Sequence, residues 1–205
     1  MSHQVTLVTA PALRSLDWEA DVKPALRLSD DTEKGWIESI LVPAAEGWAE
    51  TATGRSLITQ TWMLRLPCFP ANGARITLPY PPLQSVSSIS YVDTAGDTQT
   101  WGTSLWETES PAPAGERAGH GHVWPAYGQA YPTTRIHPNS VEITFIAGYG
   151  LTYEDIPAGL RQAMLMVVAD KFIHRETTIE GIGTIIADVP MGAEYMVGTY
   201  LAETA

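Results

Sequence analysis

The stretch from Asp30 to Trp62 constrains the fold more than any other part of the chain. Its first part, DDTEKGWIESILVPAAEGWAETATG, repeats apolar residues at the spacing of one face of an amphipathic helix. Asp30 and Glu33 have the spacing of a capping box, and Gly54 stands where a C-terminal helix cap is expected. The following residues, RSLITQTW, are rich in β-branched side chains, which favour a strand. We therefore predict a helix over 32–53 that leads directly into a sheet.

The same periodicities place two more helices around a β-region. A short helix is predicted over 15–28, and a longer amphipathic helix over 156–175 with Pro157 in its first turn. Between the second and third helices, residues 60–148 alternate apolar and polar side chains, which indicates strands. This order predicts an α+β fold: a helical core of about three main helices, an inserted antiparallel β-region and an extended C-terminal tail.

Prolines and glycines mark the irregular parts of the chain. Pro24 and Pro43 fall inside the first two predicted helices, where each is expected to cause a bend. Residues 1–14 are expected to form an extended arm. The stretch 109–133 is rich in Gly, Pro and Ala and is predicted to be a long loop.

The length of 205 residues suits one domain, which we place at 1–178, followed by a docking tail at 179–205. A single cysteine, Cys68, excludes an internal disulfide. The start lacks the basic and apolar regions of a secretory signal, and no apolar run approaches the roughly 20 residues of a membrane span. We therefore expect no membrane contact.

The chain is strongly acidic, with a net charge of −11 from 23 Asp and Glu against 12 Lys and Arg. A protein that grips nucleic acid by its phosphates needs clustered basic residues, so this class is disfavoured. An acidic surface suits a protein past which DNA slides, and it equally suits one that only needs to stay soluble. The densest acids are candidates for a channel lining or for an outer solvated surface: Asp17, Glu19, Asp21, Asp30, Asp31 and Glu33.

The sequence carries no motif of a phosphate-binding loop, a dinucleotide-binding loop or a nucleophile elbow. His120 and His122 form its only close pair of candidate metal ligands, and with His137 and a carboxylate they could make a zinc site. The pair lies in a Gly- and Pro-rich stretch, whereas a catalytic metal needs ligands on a rigid frame. We expect no catalytic residue, no metal and no cofactor, and keep a small metal-dependent hydrolase using these three histidines as the alternative.

Five segments carry a resemblance in the right order along the chain. The most specific is GRSLITQTW, which ends the first of them, AAEGWAETATGRSLITQTW. The next is LPYPPLQSVSSISYVDTAGD, and the others are VEITFIAGYG, IPAGLRQAMLMVVADKFIHRE and VPMGAEYMVGTYL. Together they resemble the head–tail connector family, the adaptor or head-completion proteins of long-tailed double-stranded DNA phages and of phage-like gene transfer agents.

The resemblance implies a structural protein and not an enzyme. It implies a closed, dodecameric ring of identical subunits beneath the portal protein, in the neck of a virion or phage-like particle assembled in the host cytoplasm. Such a ring extends the DNA channel, through which double-stranded DNA passes without specific binding. It also offers a platform to the next neck protein, a head-closure (stopper) or tail-terminator protein.

Large apolar residues on the second predicted helix and in the C-terminal tail are the candidates for contacts with these partners. Trp36 and Trp48 lie on the second predicted helix about 120° apart around its axis, so they cannot share one narrow stripe. One of them is expected to face a neighbouring subunit, although a core position for both remains open. The C-terminal tail is expected to bind the portal, and the full set of partner-binding candidates is Trp36, Trp48, Met191, Tyr195, Met196, Tyr200 and Leu201.

Overall fold

The computed structural model describes residues 3–110, 119–174 and 190–202. Four helical elements form one layer, and eight strands form a two-sheet sandwich beside it. Each layer has its own apolar core. The predicted α+β class is confirmed. No helix in these ranges is long and apolar enough to cross a membrane.

The first two helices each contain a π turn just before a proline. Helix α1 consists of the π turn Trp18–Val22 and the α turn Lys23–Leu26. Asp17 caps it by accepting a hydrogen bond from the amide three residues on, at 2.7 Å. Pro24 follows the π turn, whose wider backbone gives the proline ring room that a regular α turn would not. The helix predicted over 15–28 is present but shorter at both ends.

Helix α2 runs through three segments, Lys34–Trp36, the π turn Ile37–Leu41 and Val42–Thr53. Its π turn again precedes the proline, here Pro43. Gly54 ends the helix as predicted, with a left-handed φ of 67° and its amide bonded to the Glu50 carbonyl.

The predicted capping box of α2 is wrong. The Asp30 carboxylate accepts a hydrogen bond from the Thr32 amide at 2.9 Å and so closes a local turn before the helix. Glu33 occupies the N-cap position, where no side chain makes a capping hydrogen bond. The Asp30 carboxylate can either cap the helix or close this local turn, and the sequence spacing alone could not decide between the cap and the turn.

The last two helices pack against each other and against α2. Helix α3, Ala158–Ile173, buries the face that its periodicity indicates, with Leu160, Ala163, Met164, Val167 and Val168 all inside. Helix α4, Met191–Gly198, buries Ala193 and Val197 in the same core. The predicted extended C-terminal tail is therefore corrected for residues 190–202, because these two side chains draw the segment onto the helical layer; residues 175–189 and 203–205 lie outside the described part.

The strands of the sandwich are β1 Gln4–Thr9, β2 Gln60–Leu66, β3 Ile76–Leu78, β4 Leu83–Val92, β5 Thr98–Thr100, β6 Trp106–Glu109, β7 Gly121–Pro125 and β8 Val141–Ala147. They form a five-stranded sheet, in the order β1-β2-β8-β4-β5, and a three-stranded sheet, in the order β3-β7-β6. All pairings between these strands are antiparallel. The apolar faces of the two sheets meet in the second core.

Two predictions about irregular segments are corrected by strand pairing. Residues 4–9, expected in an extended arm, form β1 and pair with β2 along the edge of the larger sheet. Residues 121–125, expected in a long loop, form β7, the central strand of the smaller sheet. The side chain of Leu83 fills the space that a Cβ at Gly121 would need, so glycine permits this close approach. The rest of the predicted loop includes 111–118, which lies outside the described residues.

Candidate functional site

The segment from Gly54 to Trp62, the junction segment, joins the helical layer to the sandwich. Arg55 is 2% exposed, and its Nε donates a hydrogen bond to the main-chain carbonyl of Tyr200. Gln60, at the start of β2, donates from its side-chain amide to the carboxylate of Glu50 on α2 at 2.6 Å. The junction segment therefore fixes α2, the C-terminal segment and the larger sheet to one another.

Burial shifts the pKa of two ionisable groups that pack against the junction segment. Burial raises the pKa of the Glu50 carboxyl, and hydrogen bonds from the Leu57 amide and the Gln60 side chain oppose this rise. Burial also raises the pKa of the Tyr149 hydroxyl beside Arg55. Because the Glu50 carboxylate already accepts hydrogen bonds from the Leu57 amide and from Gln60, it holds α2 to the junction segment.

The histidines named for the alternative metal site are not assembled into one. Among the described residues, no group of three or more His, Cys, Asp or Glu side chains could hold a metal ion. His120 Nδ1 donates to the Leu78 carbonyl at 3.0 Å, because a carbonyl can only accept. His122 lies on β7, where burial and the nearby Arg75 lower its pKa, and His137 is exposed.

Trp36 lies at the surface of the helical layer. Its ring is 6.3 Å from that of Phe172 on α3, and 36% of the residue is exposed. Ile40, about one turn along α2, is 55% exposed. We call Trp36, Ile40 and Phe172 the α2–α3 patch. Trp48, the other candidate tryptophan, is half-buried against the helical core.

The C-terminal candidates divide in the same way. Met191 and Tyr195, one turn apart on α4, are 79% and 81% exposed, and Leu201 is 57% exposed. Met196 is half-buried against the core. Tyr200 is 4% exposed and its ring lies where a Cβ at Gly159 would be, so the assignment of Tyr200 to a partner surface is corrected. Its ring stabilises the subunit itself.

Most of the candidate channel acids form hydrogen bonds or ion pairs within the subunit. Asp17 caps α1, and Asp21 pairs with Arg161 at 3.1 Å. Asp31 pairs with Lys23 at 2.8 Å, and hydrogen bonds from Lys23 and from the Trp18 indole lower the pKa of its carboxyl. Glu19, Asp30 and Asp31 are exposed and Glu33 is half-buried. Glu19 lies 3.7 Å from Lys23, a longer contact than that of Asp31.

A cleft in the sandwich was not predicted from the sequence. It encloses about 290 Å³ between β2 and β3, and Leu64, Leu66 and Ile76 supply apolar walls. Arg75 and His120 lie among its lining residues, together with Cys68 and His3. No single segment contains a signal for it, because its walls come from two different sheets.

Comparison with known proteins connects this fold to a class of particle. No family model and no curated protein matches the chain. A chain in the neck of an empty gene transfer agent (GTA) particle, computed with C6 symmetry, is 23% identical, with 98% of this chain and 97% of that chain covered and a TM-score of 0.73. A chain in the virion of a native GTA particle is 24% identical, with 98% and 96% covered and a TM-score of 0.71.

A third match is a chain in the neck of a native GTA particle computed with C12 symmetry, which is 21% identical. It covers 98% of this chain and 97% of that chain, with a TM-score of 0.70. Similarity at these identities over nearly the whole length establishes the common architecture. The chain therefore has the fold of proteins found in the neck and virion of gene transfer agent particles.

Proposed function

We propose that this chain is a structural neck protein of a virion or gene transfer agent particle, a head–tail adaptor that forms a ring beneath the portal. The observation that carries the proposal is the similarity to neck chains over 98% of the sequence. The ring extends the DNA channel and provides the platform for a head-closure or tail-terminator protein. The protein acts by assembly and catalyses no reaction, and the ring assembles in the host cytoplasm.

A ring of identical subunits needs two different surfaces on each subunit that bind head to tail. The α2–α3 patch supplies one apolar surface, because Trp36 and Ile40 remain exposed after the helical core is complete. Two of the matching neck structures carry sixfold and twelvefold symmetry, which supports a cyclic assembly and the dodecamer that we propose.

The exposed side of the C-terminal segment is the proposed contact with the portal. Met191, Tyr195 and Leu201 project from a segment that Arg55 fixes to the junction. Deleting residues after Asp188 would also remove the buried Ala193, Val197 and Tyr200 and would damage the core. Point substitutions at the exposed positions are therefore the sharper test of portal attachment.

The location of the protein tests the proposed function directly. Gold-labelled or density-tagged subunits should appear as a ring at the portal vertex in electron micrographs of intact particles. Particles from cells that lack the chain should contain DNA-filled heads without attached tails. A tag distributed over the capsid, or normal tails in its absence, would contradict the adaptor assignment.

Trp36→Asp is expected to leave the subunit folded and to reduce the assembled fraction about tenfold, because a desolvated aromatic at an interface contributes strongly to binding. The assembled fraction is measured by light scattering and electron microscopy, and folding by the thermal midpoint. Tyr127→Asp is the matched control, since Tyr127 is 100% exposed on the sandwich. Equal assembly of the two variants would show that the α2–α3 patch is not part of the ring interface.

Reversing two exposed acids, Glu19 and Asp30, is expected to slow DNA ejection if the acidic segment lines the channel. Glu19→Lys with Asp30→Lys changes two exposed side chains and spares the Asp21–Arg161 pair. It also removes the 3.7 Å contact between Glu19 and Lys23 and the turn that Asp30 closes, so the thermal midpoint must show that the subunit stays folded. Lysine side chains in the channel would attract the DNA phosphates. This attraction should weaken as salt is added, because the screening length is about 8 Å at physiological ionic strength. Ejection is followed by dye uptake at several salt concentrations. An unchanged rate at all of them would assign these acids to the outer surface.

A further inference from the structure

The cleft of the sandwich has a charge that differs from the rest of the molecule. The chain contains 23 acidic and 12 basic residues, yet among the residues that the structure describes the cleft lining includes Arg75, His3 and His120 and neither Asp nor Glu. Its walls include the apolar side chains of Leu64 and Ile76. The chemistry that fits it is an apolar side chain accompanied by a carboxylate.

The chain carries such a group on the loop 150–155 between β8 and α3. Leu151 is 69% exposed, and Glu154 beside it is exposed as well. The loop is rigid, because the amide and hydroxyl of Thr152 both donate to the Asp155 carboxylate, at 3.0 and 3.1 Å. A preformed loop loses little conformational entropy when it binds.

Other exposed apolar residues with acidic neighbours, such as Tyr195 beside Glu194, belong to surfaces that are assigned above to other contacts. Two of the remaining ones have basic neighbours. Ile136 adjoins Arg135 and His137 in the sequence, and Ile173 lies next to His174. Basic neighbours would oppose entry into a cleft that contains an arginine. Leu151, with two carboxylates within four residues, is the better electrostatic match.

The loop and the cleft of one subunit cannot meet. The Gly150 carbonyl accepts a hydrogen bond from Thr59, just before the start of β2, whereas the cleft lies along Leu64 and Leu66 and beyond the end of that strand. Strand geometry separates the two by roughly 20 Å. A contact between them must join two copies, and it is head to tail because the two surfaces differ.

We propose that Leu151 of one subunit inserts into the cleft of the neighbouring subunit, where Glu154 lies opposite Arg75 of that neighbour. This inference rests on the proposed ring and names a second interface within it, on the sandwich side of the subunit. The α2–α3 patch lies in the helical layer, so the two contacts are compatible within one assembly.

Charge exchange tests the contact. Arg75→Glu and Glu154→Arg are each expected to lower the fraction of subunits in rings about tenfold, because each places like charges together. The double variant restores the pair and should assemble within about threefold of the unmodified chain. Leu151→Ser keeps both charges, removes the apolar anchor and should also weaken assembly. The thermal midpoint shows that each variant is folded.

The matched control is Arg75→Glu combined with Glu194→Arg, which changes an exposed acid on α4 and should not restore assembly. Restoration by Glu194→Arg, failure of the Arg75/Glu154 exchange, or full assembly of both single variants would overturn the proposed contact. These results would overturn only the contact, and the unmodified chain would still form a ring at the portal vertex. If the unmodified chain formed no ring at that vertex, the proposed function itself would be contradicted.

Discussion

Arg55→Ala is expected to lower the free energy of unfolding by about 3 kcal/mol. The side chain is 2% exposed, and its Nε supplies a hydrogen bond to the Tyr200 carbonyl. Truncation removes this donor, takes away a neighbour of the buried Tyr149 hydroxyl and leaves a cavity. Chemical denaturation measures the loss of stability, and hydrogen exchange of the α4 amides should show that this helix opens first.

Arg65→Ala is the matched control for this experiment. Arg65 pairs with Glu142 at 2.8 Å on the partly open face of the larger sheet. Because both partners remain in contact with water, its loss should cost less than about 1 kcal/mol. Equal destabilisation by the two substitutions would mean that the buried arginine does not hold the C-terminal segment.

Gly148→Ala should destabilise the fold by about 3 kcal/mol or more. Gly148 follows β8 and has a φ of 129°, which side chains with a Cβ rarely adopt. A Cβ there would lie 2.5 Å from the Ile58 carbonyl oxygen, which belongs to the main chain and cannot rotate away. The junction segment would have to move from the sheet, and the loss is measured by the midpoint of urea denaturation.

Gly47→Ala provides a control with the opposite expected sign. Gly47 lies within α2 with no atom inside 4 Å of the position of an added Cβ. Alanine should therefore raise stability by about 0.5–1 kcal/mol through its helix propensity. If Gly148→Ala proved as harmless as Gly47→Ala, the close approach of β8 to the junction segment would not constrain this position.

The junction also matters for the proposed function. It connects the helices that carry the α2–α3 patch with the sandwich that carries the cleft and with the segment proposed to bind the portal. A substitution at Arg55 is thus expected to affect ring formation and portal attachment together, whereas Trp36→Asp should affect only assembly. Comparing the two variants separates loss of the fold from loss of an interface.

The sequence determined the parts of this protein that depend on local periodicity and backbone chemistry. Helical spacing located α2 and α3 and the buried face of α3, and Gly54 marked the end of α2. Alternation indicated β4 and β8, and the order of five short segments indicated the fold that the GTA neck chains share. These features are readable because each depends on residues that are close along the chain.

The tertiary structure alone decided which side chains are available to partners. Tyr200 and Tyr195 are both aromatic residues of one segment, yet one is buried beneath Arg55 and α3 and the other is 81% exposed. Strand β7 forms inside a Gly- and Pro-rich stretch because β3 and β6 pair with it from both sides. The cleft has walls from two sheets. Burial, strand pairing and cavities arise from contacts between residues far apart in sequence, which local patterns do not encode.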